Sequence, residues 1–404
     1  MNPTKRNLLY TVSILCIAIS MLFIGIIYAS SGSSLIAQND NLDSIAAVED
    51  ESIVDKEINV SDFFLYTIGK SHVYKNLQIF LLFNEKNVIS KNYVTLSDAL
   101  EKEYVTVFET GSVNMLEVEN TSSFFVFIGS GEIVKGGKQD RTIGKDIILP
   151  PKSGKFPLAS FCVESGRWQQ REGEELHEFK SSEHALSSRD IQIAAKISKS
   201  QGEVWQNVEK QQQKVNESMV INYDYDDSFD VKDSKSETSL QLTLENKDLE
   251  KVKEEYRKFF HDVISGNDHV MGFVYAINGE IYGIDIYHNY KLFLDLWPKL
   301  LDAVIVEAIS DMNKEDYDQI TAANILTIVK EFEGSEQKTE KEEINSETTY
   351  VISYAGKINK FETFDKREGD KLLHLNYIQS GNTSPSSEKS LRYQNNIQSN
   401  QVIR

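Results

Sequence analysis

The sequence predicts an α+β protein. An antiparallel, sandwich-like β half is followed by a helix–hairpin–helix α+β half, behind one N-terminal transmembrane helix or signal. Three observations carry this expectation. Short β-rich runs separated by turn residues fill the stretch from Phe63 to Val163. A helix-period apolar stripe and the tight-turn pair Asn278-Gly279 lie in the second half. An uncharged, mostly apolar run extends from Leu8 to Ala29 behind Lys5 and Arg6.

That apolar run comes first in the chain. At 1.5 Å per residue it reaches about 33 Å, enough to cross the hydrocarbon core. Lys5 and Arg6 should stay in the cytoplasm, so the remainder is expected to be exported, to the periplasm or the outer face of the inner membrane. Small residues after Tyr28 and Leu35 suit cleavage and the run's length suits a retained anchor, so both outcomes stay open. Residues 31–59 read as an acidic spacer.

The β half is expected over 60–170. Its runs are Phe63–Ile68, Leu77–Phe83, Tyr104–Glu109, Val113–Glu119, Phe124–Ile128, Asp146–Leu149 and Phe156–Val163. Thr95 is placed to cap a short helix, Leu96–Glu101. The α+β half is expected over 185–380. Ile193, Ile197, Val204, Trp205 and Val208 recur at helical spacing on either side of Gly202. Leu249, Val252, Tyr256, Phe259 and Val263 share one helical face, with Asn246 as N-cap and Gly266 beyond the end. Asn278-Gly279 joins strands Val270–Ile277 and Glu280–Tyr287. Tyr290 to Ile309 is a helix that Pro298 should kink or divide. Residues 222–239 and 334–347 read as polar loops, Tyr350–Phe364 and Leu372–Ile378 as strands, and 381–404 as a disordered tail.

Composition excludes some functions. Of 404 residues, 40% are hydrophobic and 26% charged, which excludes wholesale disorder. Lys and Arg total 43 against 62 Asp and Glu, a net charge of -19 that argues against nucleic acid as a partner. With only Cys16 and Cys162, and Cys16 inside the leader, no disulfide framework is available, and Cys162 is expected as a buried core thiol. There is no Gly-x-Ser-x-Gly elbow and no His-Glu-x-x-His helix. Gly136-Gly137-Lys138 is not a P-loop, because Gln139 stands where Ser or Thr is needed, and no cofactor is called for. On one helix His177 and His184 would stand about 10 Å apart, too far to share a metal ion, so no metal site is expected.

The dense chemistry lies in Gly129-Ser130-Gly131-Glu132-Ile133-Val134-Lys135-Gly136-Gly137-Lys138-Gln139-Asp140-Arg141 and in Cys162-Val163-Glu164-Ser165-Gly166-Arg167-Trp168. Glycines permit close backbone approach; Lys138, Gln139, Arg141 and Arg167 donate; Glu132 and Glu164 accept or titrate; Trp168 offers a stacking wall. The same residues also suit a salt-bridge network at a strand end.

These two segments resemble the ARG and rhodanese-phosphatase-superfamily-associated protein (ARPP) domain family. Arg189, Gln201-Gly202-Glu203-Val204-Trp205, the hairpin Ala276–Asp285 and Leu292-Phe293…Trp297-Pro298-Lys299-Leu300-Leu301 agree, so the resemblance spans about residues 60–380. Gly137 and Asp140 depart from it, standing where Ala and Asn are expected. The resemblance implies genomic company with ADP-ribosylglycohydrolase-type and rhodanese-phosphatase-type proteins but brings no established reaction. It places both clusters in one family motif, which raises a shared pocket above the salt-bridge reading. The expectation is then a bacterial envelope binding module for a small anionic or polar ligand or an envelope partner. Arg141 and Arg167 would be its clamps, with Glu132, Lys138, Gln139, Glu164 and Trp168 around them. The alternatives are a hydrolase with Glu164 or Asp285 as general base and a structural envelope scaffold.

Overall fold

The computed structural model describes residues 66–84, 89–182, 186–267 and 269–381. The apolar run 8–29, the spacer 31–59 and the tail beyond 381 lie outside the described residues. Among the described residues no helix is long and apolar enough to cross a membrane.

The strands in chain order are β1 (Thr67–Tyr74), β2 (Leu77–Phe83), β3 (Val94–Thr95), β4 (Val105–Ser112), β5 (Met115–Asn120) and β6 (Val126–Ile128). Then follow β7 (Ile133–Gly136), β8 (Arg141–Ile143), β9 (Ile147–Leu149), β10 (Gly154–Cys162), β11 (Glu178–Ser181) and β12 (Val270–Ile277). The last are β13 (Glu280–Tyr287), β14 (Lys338–Glu343), β15 (Thr348–Ala355), β16 (Ile358–Asp365) and β17 (Lys371–Gln379). They form an antiparallel eight-stranded sheet, β1-β2-β12-β13-β17-β16-β15-β14, a closed barrel, β10-β5-β4-β11-β7-β8, and a small sheet, β3-β6-β9.

The eight-stranded sheet is covered on both faces, which explains its nearly unbroken apolar strands. Along β2, Leu77, Ile79 and Leu81 face the helices Lys247–Phe260 and Tyr290–Ser310. Phe80 and Leu82 face the opposite way, toward the helix Ala322–Glu333. Period-two alternation sends successive side chains to opposite layers, so both parities must be apolar. At the β12–β13 turn Asn278 and Gly279 have φ of 51° and 76°, the primed geometry that an Asn-Gly pair adopts readily. Thr95 and Asn246 cap their helices as expected, Thr95 accepting from the Asp98 amide at 3.2 Å and Asn246 from those of Asp248 and Leu249.

Four expectations are corrected. The β half is a closed six-stranded barrel rather than a sandwich, because β11 bridges β4 and β7. The division near residue 170 does not hold, since β1 and β2 belong to the sheet of the second half, paired to β12. Residues 338–343, expected in a loop, form the fully exposed edge strand β14, whose alternating Lys and Glu discourage pairing with another chain. Of the two outcomes open for Pro298, division is excluded, because one helix runs through it with Leu292, Phe293, Leu296, Trp297, Leu300 and Leu301 all buried around it. That burial offsets the roughly 3 kcal/mol that an interior proline costs.

Candidate functional site

Two polar centres emerge. The first is the end of the barrel, where β7 and β8 form a hairpin across residues 137–140. Gly136 and Gly137 have φ of 126° and 54° there, and a Cβ on Gly136 would stand 2.9 Å from the Glu178 carbonyl oxygen. The hairpin holds Asp140 in the fork of Arg171, both bonds 3.1 Å, and the Ser239 hydroxyl donates to Asp140 at 2.9 Å. Arg167 Nε donates to Glu164 Oε1 at 2.7 Å and Arg167 Nη1 to the Gly137 carbonyl at 3.2 Å. Glu164 Oε2 accepts from the Asp140 amide at 3.2 Å, and Gln139 Nε2 donates to the Glu164 carbonyl at 2.8 Å. Arg141, fully buried, reaches Cys162 Sγ, the Ser112 carbonyl at 3.3 Å and Glu109 at 3.5 Å.

The structure thus brings Gln139, Arg141, Glu164 and Arg167 together; the arginine groups expected as ligand clamps already engage acceptors within the protein, while Gln139 Oε1 and Arg141 Nε are buried without a hydrogen-bond partner. Lys138 and Trp168 lie at its outer edge, the ammonium 5.1 Å from the ring centroid and the indole 47% exposed. Burial and the charge of Glu164 push Asp140 up to about 6, against the pull of Arg171 and Arg167. Burial also raises Glu164, but the Arg167 hydrogen bond brings it below the usual range. Asp140 and Arg171 complete the network, although the sequence reading assigned neither a role. Cys162 is a buried free thiol, as expected.

Glu132 and Asp285 lie apart from that network. Glu132 is buried, accepting from the Gly129 amide at 2.9 Å and from Lys299 at 3.4 Å. Burial raises its pKa, with Lys299 opposing. Asp285, on β13, accepts from His374 Nε2 at 2.6 Å. His374 Nδ1 meets Asp146 Oδ2, also at 2.6 Å. Asp146 accepts further from the Ser130 amide at 2.7 Å and the Thr363 hydroxyl at 2.6 Å. With a carboxylate on each ring nitrogen the imidazole carries both protons. Burial lowers the His374 pKa, but Asp146 and Asp285 overcome this and raise it to about 9. For Asp146 burial is likewise outweighed, and the His374 cation holds it well below the usual carboxylate range. Tyr287 stacks on the imidazole, centroids 4.2 Å apart and planes 8° from parallel.

Around this second centre lies a chamber of about 40 Å³ lined by Ser130, Gln192, Lys196, Asp285, His374 and Asn376. Such a volume holds on the order of three waters. Outside it is a cleft of about 470 Å³, whose lining includes Lys210, Gln211, Lys214, Tyr282 and Lys357. Arg189 and Glu307 line both spaces. The Arg189 guanidinium lies 3.4 Å from the Tyr282 ring centroid, its backbone amide donates to Glu307 Oε1 at 2.5 Å, and its Nε stands 3.8 Å from Glu307 Oε2. Burial pushes Glu307 up to about 7, with Arg189 opposing. Three buried acceptor atoms of these linings have no hydrogen-bond partner: Gln211 Oε1, Glu307 Oε2 and Asn376 Oδ1.

Sequence reasoning missed Lys196, Glu307 and His374 as candidates. The available signal was a charged or polar residue inside an apolar run, as in Leu372-Leu373-His374-Leu375. Among the described residues no cluster of three or more His, Cys, Asp or Glu side chains is arranged to hold a metal ion. His177 is exposed and His184 lies outside the described residues.

The ARPP-1 family model, ARG and Rhodanese-Phosphatase-superfamily-associated Protein domain, matches residues 65–378. The chain belongs to the ARPP-1 family. No curated protein and no solved structure matches it. The ARPP-1 domain takes in all three sheets, so both polar centres fall inside it.

Proposed function

We propose that the ARPP-1 domain is a binding module for a small polar ligand that carries an anionic group together with hydroxyl or amino donors. The observation that carries this reading is the open cleft of about 470 Å³ with its inner chamber, lined by the buried acceptors Gln211 Oε1 and Asn376 Oδ1, which no donor reaches, and by Glu307 Oε2, 3.8 Å from Arg189 Nε. A buried acceptor left without a donor costs about 1–3 kcal/mol, and a ligand that donates there recovers it. The cleft lining sets Arg189, Lys210, Lys214 and Lys357 against Asp190, Glu280, Glu307 and Asp311, and Lys214 pairs with Asp311 at 2.7 Å, so the exposed Lys210 is the cation offered to the anionic end. The cleft volume of about 470 Å³ suits a molecule of sugar-acid or sugar-phosphate size.

Of the residues expected from sequence, Asp285 lines this space. The competing place for such an anion is the barrel end, where Lys138 lies over Trp168. Export of the domain, to the periplasm or the outer face of the inner membrane, is part of the proposal and is supported by the apolar run behind Lys5 and Arg6. The experiment is a thermal-shift screen of sugar acids, sugar phosphates and their neutral parent sugars. Saturable stabilisation by charged members over their neutral parents supports the reading, whereas turnover of a phosphoester lost in Asp285→Asn or Glu164→Gln replaces it with hydrolysis.

A further inference from the structure

The inner chamber holds a lysine that the ligand-binding reading does not use. Lys196 is among the fully buried side chains, yet it lines the chamber beside Asp285 and His374. It sits on Ala194–Ser198, a single π-helical turn that ends at Lys199 in the left-handed region, φ 50°. Such turns are rare and recur at functional sites. Its ammonium donates to Gln192 Oε1 at 2.8 Å and lies 4.4 Å from the Phe361 ring centroid. Gln192 is held in turn by its own donation to the Ser187 carbonyl, 2.8 Å. Gly131, φ 87°, makes the room: a Cβ there would stand 2.8 Å from Gln192 Cδ. One glycine of the sequence cluster therefore serves this chamber.

We propose that Lys196 is a reactive amine that captures the carbonyl of a small aldehyde or α-keto acid as a protonated Schiff base. The proposal rests on the cleft as the way in. The step balances without a co-reactant: the lysine ammonium and the carbonyl give an iminium and water. The C=O bond breaks, a C=N bond forms, and the two protons leaving nitrogen depart with the carbonyl oxygen; nothing is oxidised or reduced. Attack requires the free amine, and burial lowers Lys196 to about 8 against the opposing pull of Asp146 and Asp285. The same carboxylates select the product. An iminium keeps the positive charge they compensate, whereas a carbamate formed with carbon dioxide would reverse it. The chamber's volume of about 40 Å³ limits the reacting end to two or three heavy atoms, and Arg189 at the junction suits the carboxylate of an α-keto acid.

The test uses the full chain, glyoxylate and sodium cyanoborohydride, with peptide-resolved mass spectrometry. The expected result is loss of the unmodified Lys196 peptide to a reduced adduct before the exposed Lys210 reacts. Labelling of Lys210 and other surface lysines while Lys196 stays unmodified in folded protein overturns the proposal. Lys196→Arg should keep the cation and lose the adduct; should that variant not fold, the wild-type peptide map decides alone. Glycolate, which has no aldehyde or ketone carbonyl, separates the two claims. Stabilisation by glycolate with no trapping of glyoxylate leaves the binding reading standing and refutes the lysine. Neither stabilisation nor trapping counts against both.

Discussion

His374 donates to Asp146 at 2.6 Å and so ties the last strand of the eight-stranded sheet to the loop between β8 and β9, 228 residues earlier. The same imidazole donates to Asp285 from its other nitrogen, which makes one protonated ring the pin between barrel and sheet.

That pin makes stability depend on pH. The folded pKa of about 9 lies above the ordinary value of 6.5, so the stabilisation is complete below pH 6.5 and is lost as pH rises through 9. The shift corresponds to roughly 3 kcal/mol. Lys196, lowered from 10.5 to about 8, contributes in the opposite direction above pH 8, so urea unfolding should show the decline between pH 6 and pH 8, and His374→Gln should weaken it while lowering stability in that range. A wild-type profile flat across that range contradicts the pin.

The barrel network makes the opposite demand. Removing the fork in Arg171→Met leaves Asp140 buried beside Glu164, and breaking such a pair costs about 3–5 kcal/mol. Burial raises Asp140 to about 6, so acid relieves the penalty by protonating it. The variant's deficit in unfolding free energy should be smaller at pH 5 than at pH 8. An equal deficit at both means that Asp140 does not carry the effect.

Cys162 lies at the end of β10 with its thiol against Arg141. Cys162→Ser should cost about 1–2 kcal/mol through a poorly satisfied buried hydroxyl. Its thiol should resist bulky reagents until the protein is unfolded, and rapid labelling of native protein contradicts its burial.

Topology is tested by fusion. Lys5 and Arg6 precede a stretch with no charge before Asp40, so a reporter active only in the cytoplasm should be silent when joined after residue 60. Robust activity there refutes export.

Local patterns carried the elements well. The Asn278-Gly279 turn and the caps at Thr95 and Asn246 are decided by neighbours in sequence and stand in the structure, whereas Tyr350–Phe364, expected as one strand, is the two strands β15 and β16, and Phe63–Ile68 meets β1 only at Thr67 and Ile68. Closure of the barrel was not legible. It depends on the four-residue strand β11, whose sequence Glu-Phe-Lys-Ser has no distinctive pattern. The site divided in the same way. Arg141 pairs with Cys162 across β8 and β10, and Gln139, Glu164 and Arg167 lie within five residues of that pair, so a motif in sequence joins them. The chamber draws Lys196, Asp285, Glu307 and His374 from four separate segments, and no local spacing joins them. Glu132 and Asp285 were assigned with the first group because they share its family motif, whereas the sheet brings Asp285 to the second.

The cleft beside Arg189, and not the barrel end, is expected to take the ligand. Isothermal titration with the strongest anion from the screen, run on wild type, Lys210→Glu and Lys138→Glu, tests it most directly. Lys210 is exposed and lines the cleft, and Lys138 is half-buried over Trp168 at the barrel end, so neither reversal removes a core contact. Lys210→Glu should abolish saturable binding and Lys138→Glu should leave it intact. Binding lost in Lys138→Glu and kept in Lys210→Glu would contradict this and move the site to the barrel end.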